Sequence, residues 1–542
     1  MRRQNRLLAI LLGVLAALVL IVGGLSAVLL LNGGPSGGGQ QAGGGTSSSG
    51  ALQLSGGDPI TMDPHLAGDS GSAEYIVEVF SGLMTIDPKL NVVPDLAESY
   101  KVSEDGKTYT FTLRDNATFH NGRKVEAKDV KCSIERAASK KLGSSTASAY
   151  LNDILGATEV FRGTSEQMSG IDVVDRRTIK ISIDAAKPYF LAKLSFPTAF
   201  VVDCDQVQAN PKNWTRQPNG TGPYKLKEWR LGERIVLEAN DKFYAGVPKL
   251  AQTVYSFSGG SAFTRFQNKE LDVASISVND IDAVRDRNNP LNKMYHVDGE
   301  FSISYIAFNT TVPPFDDVNV RRALGFAIDR AKITDVTFNR MLVPATGILP
   351  PEMPAFTPAD KALPFNPAEA KKALAASKYA GKMPPIEFTE IGGGAEGRTD
   401  TQAFIEQWKQ VLGIDVRIRQ TDAATFYADT DAGKLQMFNA GWIMDYPDPE
   451  NVLDLKFYSK SQLNDIRYSN PKVDLALEQA RVERDPAKRI RLYQEVEAQV
   501  LSDAPWLPLY FAQSHTVVSA AVKGWFNPPM VIPRLRFVTV ER

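Results

Sequence analysis

Residues 7–31 carry no charge and are mostly apolar, and residues 32–50 are almost only Gly, Ser, Gln, Ala and Thr. Neither stretch can contribute to a globular core, so any such fold must begin near Ala51. A helix over the 25-residue run, at ~1.5 Å per residue, is longer than the ~30 Å hydrocarbon core of a bilayer. Arg2, Arg3 and Arg6 precede it, which places the N-terminal end in the cytoplasm and everything after Leu31 outside. A cleaved signal peptide is the competing reading. Such peptides have an apolar core of only ~7–15 residues and a small-x-small cleavage site. No clear A-x-A follows this run, and no cysteine for lipid attachment lies near it. The expectation is an uncleaved single-pass anchor in the cell membrane. The Gly/Ser-rich segment behind it is a flexible tether with a root-mean-square span of ~20–25 Å.

The chain has 542 residues, a formal net charge of −1 and 43% hydrophobic residues. That length is enough for two to four domains and ample core. The near-zero charge gives no indication of nucleic acid or another polyanion as partner. Cys132 and Cys204 are the only cysteines, which excludes a disulfide scaffold and a thiolate metal cluster. Each reads first as a small core residue, and a single bridge in an oxidising compartment is the other option.

Beyond Ala51 the pattern is mixed α and β. Tyr109, Phe111 and Leu113 alternate with threonines over 107–113, a half-buried strand behind the turn signal Glu104-Asp105-Gly106-Lys107. Val130, Ile134 and Ala137 set a helix over 125–140. A second hairpin is read at 178–183 after Asp175-Arg176-Arg177, and paired strands at 224–229 and 235–239 after Gly220-Thr221-Gly222-Pro223. Helices are predicted at 400–411, 472–483 and 486–501, the last opening on a tolerated first-turn Pro486. Strands follow at 506–511 and 516–518.

The stretch AGWIMDYPDPENVL (440–453) sets Trp442, Asp445, Tyr446 and Asp448 among Pro447 and Pro449. The prolines forbid a helix interior and restrict the residues before them, so a shaped loop is predicted. Rings there can pack a ligand's body while a carboxylate takes its cationic end. The plainer alternative is a surface turn. GDSGS at 68–72 superficially resembles a serine-protease nucleophile segment. Catalysis would require a positioned base, and none of His65, His120, His296 and His515 stands in such a context. Asp429-Thr430-Asp431-Ala432-Gly433 begins like a calcium loop but has Ala440 where the closing Glu belongs. No catalytic residue, cofactor or protein-built metal site is expected.

DGKTYTFTLRDNATFHNG (105–122), AKDVKCSIERA (127–137), NGTGPYKLKEW (219–229), YIAFNTTVPPFDDVNVRRALGFAID (305–329), PATGILPP (344–351) and the 440 loop, in this order, resemble the family 5 extracellular solute-binding proteins, peptide receptors of ABC importers. The resemblance implies a two-lobe periplasmic-binding-protein-like α/β fold with an extra inserted subdomain, closing on ligand by a hinge. Lobe I would comprise 51–84, 200–300 and 500–542, with the subdomain at 85–199, and lobe II would run over 301–499. It implies a non-enzymatic receptor, expected to be monomeric, that hands a peptide to an ABC permease and its ATPase. Asp445 is the position that would pair with the peptide's α-amino group. The family's dipeptide receptors carry an upstream Arg for the ligand carboxylate. The matching run Glu390-Ile391-Gly392-Gly393-Gly394 has no basic residue, leaving Arg398 as a distant substitute or a solvent-facing residue at a helix start. Gly392 to Gly394 would admit a close ligand or form a turn. Ser72, in GDSGSAEY, would face the cleft or merely begin a helix. Trp442, Tyr446 and Phe426 could equally stack on a sugar, so an oligosaccharide or a ready-made metal chelate is the alternative solute.

Overall fold

The computed structural model describes residues 50–542 apart from 359–360 and 393–396. The anchor read at 7–31, nearly all of the tether, and Gly393 and Gly394 lie outside the described residues. Among the described residues no helix is long and apolar enough to cross a membrane.

Alternation of side chains produces the strands as read. In Thr108–Leu113 the residues Tyr109, Phe111 and Leu113 are buried and the threonines half-buried. Its turn closes through Gly106 at φ +75°, the left-handed region where a side chain is costly. That strand sits in a four-stranded antiparallel sheet, Ala97–Val102, Thr108–Leu113, Thr178–Ser182 and Ile171–Val173 in spatial order. The helix Ala127–Ala138 packs Val130, Ile134 and Ala137 inward, and its Asp129 carboxylate accepts from the Glu126 amide at 2.8 Å.

A second sheet orders Ala51–Ser55, Gln252–Ser256, Arg234–Ala239 and Tyr224–Arg230, with the first pair parallel. A small third sheet places Gln513–Val518 between Val273–Ser275 and Tyr295–Gly299. The largest sheet has six strands in the order Val343–Pro344, Trp506–Phe511, Ser302–Phe308, Met437–Ile443, Ile386–Ile391 and Val416–Thr421. Both of its faces are covered, as its dense apolar strands require. Ile306, Phe308, Phe388 and Met437 pack with Phe404 and Trp408 on one face. Tyr305, Phe438 and Trp506 meet Phe457, Val496 and Val500 on the other.

The chain passes from the three-stranded sheet to the six-stranded one at Glu300–Phe301. The return differs. Strand Trp506–Phe511, grouped with lobe I by sequence, is hydrogen-bonded to Ser302–Phe308 in the large sheet, and the chain crosses back only at Ala512. Only Ala512 separates the two strands there, so no turn signal marks the change of sheet. The two crossings lie side by side, with the Glu300 amide donating to the Ala512 carbonyl at 3.1 Å.

Cys132 and Cys204 are joined in a disulfide with Cα atoms 6.6 Å apart, tying the helix Ala127–Ala138 to the helix Cys204–Ala209. The preferred reading of two separate core thiols is therefore corrected. The partners are 72 residues apart, and only the tertiary fold brings them together.

Gly220 and Gly222 press against the end of the helix Ser70–Val79. A Cβ on Gly220 would overlap the Val79 carbonyl, and one on Gly222 would lie 2.5 Å from the Glu78 carbonyl. Gly220→Ala is expected to cost on the order of 2–4 kcal/mol in thermal or urea unfolding, because backbone rather than a flexible side chain must move. Gly57→Ala, where a Cβ meets nothing within 4 Å, should stay within about 1 kcal/mol of wild type.

Candidate functional site

The segment 440–453 is only partly a loop. Its first residues belong to the strand Met437–Ile443, the loop proper is 444–449, and the helix Glu450–Phe457 follows. This strand is buried at Met437 and Phe438 and opens towards Gly441 and Ile443, and the prolines act only beyond it. Pro449 precedes the helix, and the Asp448 carboxylate accepts from the Glu450 amide at 2.9 Å.

One edge of this strand is open. Along Ser302–Phe308 it is paired throughout, from Ser302↔Ile443 to Phe308↔Met437. Towards Ile386–Ile391 the pairing covers only Phe388↔Met437 and Thr389↔Phe438. Among the described residues, 439–443 therefore have no strand partner on that side for their backbone donors and acceptors. Gly441 in their middle is exposed and has no side chain to keep another backbone away. An extended chain fits such an edge.

Asp445 stands at the end of that edge. Tyr150, from the segment carrying the four-stranded sheet, donates its hydroxyl to Asp445 Oδ2, a contact spanning 295 positions of sequence. Asn451 Nδ2 approaches the same oxygen at 3.4 Å, and Asn451 Oδ1 accepts from the Asp445 amide at 3.0 Å. Among the described residues no cationic side chain pairs with this carboxylate. Burial therefore dominates and raises it to about 6, against the smaller lowering effects of Tyr150 and Asn451. The same enclosure, with Asp445 beside it, pushes the Tyr150 phenol up. Tyr150 is held from behind by Phe196, stacked at 4.0 Å. Neither Tyr150 nor Asn451 was singled out from sequence. Asn451 lay inside the quoted string, but nothing in its spacing distinguished it, and Tyr150 had no local signal at all.

The other sequence-derived candidates are placed as follows. Trp442 is half-buried, its Nε1 donates to Asn451 Oδ1 at 3.1 Å, and Lys456 lies 5.2 Å from its ring centroid. Tyr446 is fully buried and donates its hydroxyl to Glu450. Phe426 is a core residue packed edge-on to Phe438 at 5.8 Å. Arg398 caps the helix Thr399–Leu412, and its guanidinium grips Asp400 through Nε at 3.0 Å and Nη2 at 3.1 Å. Ser72 is buried in the first turn of the helix Ser70–Val79. Its amide is capped by Asp69 at 2.8 Å and its Oγ accepts from the Thr61 amide at 3.2 Å. His65, the histidine nearest GDSGS in sequence, has its ring nitrogens committed to the Phe200 carbonyl and to Arg136, at 2.9 and 2.7 Å. The calcium-like run ends the helix Ala423–Asp431, with Asp429 paired to Arg419 and Lys434.

Residues 91–464 match the family described as "Bacterial extracellular solute-binding proteins, family 5 Middle". The dipeptide-binding protein DppE of Bacillus subtilis is 27% identical over 492 residues, covering 87% of this chain and 88% of that protein. The periplasmic oligopeptide-binding protein OppAIV of Borrelia burgdorferi superposes with a TM-score of 0.80 at 28% identity, over 90% of this chain and 99% of that one. The murein tripeptide binding protein MppA of Escherichia coli gives 0.78 at 26% identity, over 91% and 98%. Its unliganded open form gives 0.69 at 27% identity, over 90% and 97%. The chain belongs to family 5 of the bacterial extracellular solute-binding proteins. Its fold is the two-lobed α/β fold of periplasmic binding proteins, and it is a receptor rather than an enzyme.

An enclosed carboxylate without a counter-charge has a stated pH signature. Its folded-state pKa lies above the unfolded one, so the compact state binds the extra proton. The stability this contributes is present below the ordinary carboxylate range and lost as pH rises through about 6. Asp445→Asn mimics the protonated form. Without ligand it should be more stable than wild type at pH 7.5, by up to about 3 kcal/mol, with roughly half of that left at pH 5 and the two converging only below about pH 4. Parallel melts of the two proteins across that range check this.

Proposed function

We propose that this chain is an extracytoplasmic receptor, held at the outer face of a membrane by residues 7–31, that captures a peptide between its lobes. It then delivers the peptide to an ABC permease and its ATPase. The observation that carries the reading is the half-buried Asp445 carboxylate, which no cation among the described residues neutralises, at the end of a strand edge that has no partner strand among them. A peptide supplies both complements: an α-ammonium for the carboxylate and an extended backbone for residues 439–443. The named binding partners of the relatives, dipeptide, oligopeptide and murein tripeptide, support the class of solute. The better superposition on MppA than on its unliganded open form supports reading the described arrangement as closed.

Arg398 is engaged with Asp400, and the run before it has no basic residue. This favours peptides whose carboxyl end is not clamped by an arginine, and hence longer chains over strict dipeptides. Tyr446 and Phe426 are buried and Trp442 is covered by Lys456, so the three rings do not form a stacking platform for a sugar.

Titration calorimetry on the full-length protein in detergent, with peptide pools of graded length, tests the reading. Asp445→Ala should lose about 2–5 kcal/mol of peptide affinity. Unchanged affinity would overturn the role given to Asp445. Amidating the peptide's carboxyl terminus should change the dissociation constant by less than about tenfold, since no arginine is expected to read that group. A larger loss would require a cationic clamp.

A further inference from the structure

Three polar groups of the 440–453 segment converge on one buried side chain. Asn451, the second residue of the helix Glu450–Phe457, is fully enclosed. Its Oδ1 accepts from two groups that can only donate, the Trp442 indole N–H at 3.1 Å and the Asp445 amide at 3.0 Å. That fixes which end of the amide is oxygen, and the Nδ2 end is left facing Asp445 Oδ2 at 3.4 Å. Asn451 thus ties the end of the open strand, the loop backbone and the carboxylate into one rigid unit. An aspartate there would oppose Asp445 with a second negative charge, and a serine could not bridge both donors and the carboxylate.

We infer that Asn451 is the positioning residue for ammonium recognition: its amide fixes the direction of the Asp445 carboxylate relative to the open strand edge, and so confers preference for ligands with a free amino terminus. The inference rests on the reading of Asp445 as the ammonium partner and deepens it. The titratable and charged groups around the carboxylate come from three directions. Tyr150 comes from the helix Ala147–Leu151, Tyr446 and Glu450 flank the loop with Lys193 at 3.5 Å from Glu450, and Lys456 lies over Trp442. Among these, Asn451 and Tyr150 donate to Asp445 directly.

The test uses the full-length protein and a mixed-sequence tetrapeptide library in two forms, free and N-acetylated, with affinity read by calorimetry. Wild type should prefer the free form. Asn451→Ala should reduce that preference about tenfold or more while leaving the acetylated form's affinity within about threefold, as expected for loss of a hydrogen bond to a charged group. A merely structural role would weaken both forms together, and that result overturns the inference. Asp445→Ala is run beside it. If Asp445→Ala abolishes the preference and Asn451→Ala does not, Asn451 is not the positioning residue and the Asp445 reading survives. If Asp445→Ala leaves the preference intact, both fall. Should Asn451→Ala fold poorly, Asn451→Asp retains the acceptor for Trp442 and the Asp445 amide. It should move the pH below which free-peptide affinity is lost upward by about one unit, through the like charge beside Asp445. An unmoved pH profile overturns the inference.

Discussion

The hydrogen bond from the Glu300 amide to the Ala512 carbonyl joins the two places where the chain leaves one sheet for another. In the hinge closure proposed here, neighbouring crossings would let the bodies they connect turn about a single narrow line. A third contact lies next to it. Val343–Pro344 pairs with Tyr510 and Phe511, and the residues just before it reach into the apolar cluster around Phe263, Ile281 and Val517 through Met341. There the Arg285 guanidinium donates to the Asn339 and Arg340 carbonyls at 2.6 and 3.0 Å. The backbone of both residues is left-handed, at φ +45° and +57°. Two such residues in succession are held by their surroundings and not by preference. The Tyr150–Asp445 contact is of another kind, because no direct chain connection runs between the segments it joins.

Buried carboxylates are common around that contact, which makes the exception informative. Asp448 is held by Arg489 through two bonds of 2.7 Å, and Asp454 by Arg481 in the same way. Asp153 lies between Lys187 and Lys193, at 2.5 and 2.9 Å. Glu450 meets Lys193 at 3.5 Å. Breaking such a pair typically costs about 3–5 kcal/mol, since one charge is stranded. Asp445 alone in this neighbourhood has hydrogen bonds but no cation. Burial still raises Glu450 to about 7 despite Lys193, but Asp448, Asp454 and Asp153 are each paired, and a structure that pairs these three and gives Asp445 no cation among the described residues fits a cation that arrives from outside.

Local chemistry made much of this fold readable. The hairpin at Gly106, the helix Ala127–Ala138 and the helix pair beginning at Pro471 and Pro486 each follow from turn residues, periodicity or a first-turn proline, and each falls within a few residues of its expected place. The failures are all non-local. The return crossing at Ala512 lies between the apolar strand Trp506–Phe511 and the more polar Gln513–Val518, with a single residue and no Gly or Pro between them. The Cys132–Cys204 bridge and the Tyr150 hydroxyl are brought to their partners across 72 and 295 positions. For the candidate site, Asp445 and Trp442 were legible because prolines and aromatics mark the loop. The open edge beside them was not, since it depends on where a neighbouring strand diverges. Phe426 and Tyr446 looked like cleft residues by type, yet the core needed their apolar bulk.

If the described arrangement is the closed form proposed above, these features give closure a definite sign. Enclosing Asp445 raises its carboxyl to about 6, so at neutral pH the closed arrangement either holds an uncompensated charge or takes up a proton. Both are unfavourable relative to an open form in which water solvates the carboxylate. A neutral solute filling the same cleft would not remove that penalty, whereas an ammonium would. Differential interaction with the two forms is the only means by which a ligand shifts an equilibrium between them. On the proposed reading the carboxylate would do more than attract a cationic end: by disfavouring closure without one, it would make closure report that the correct group has entered. A receptor that must present itself differently when loaded and empty gains discrimination from this arrangement, and the paired acids nearby, already neutralised, would supply none of it.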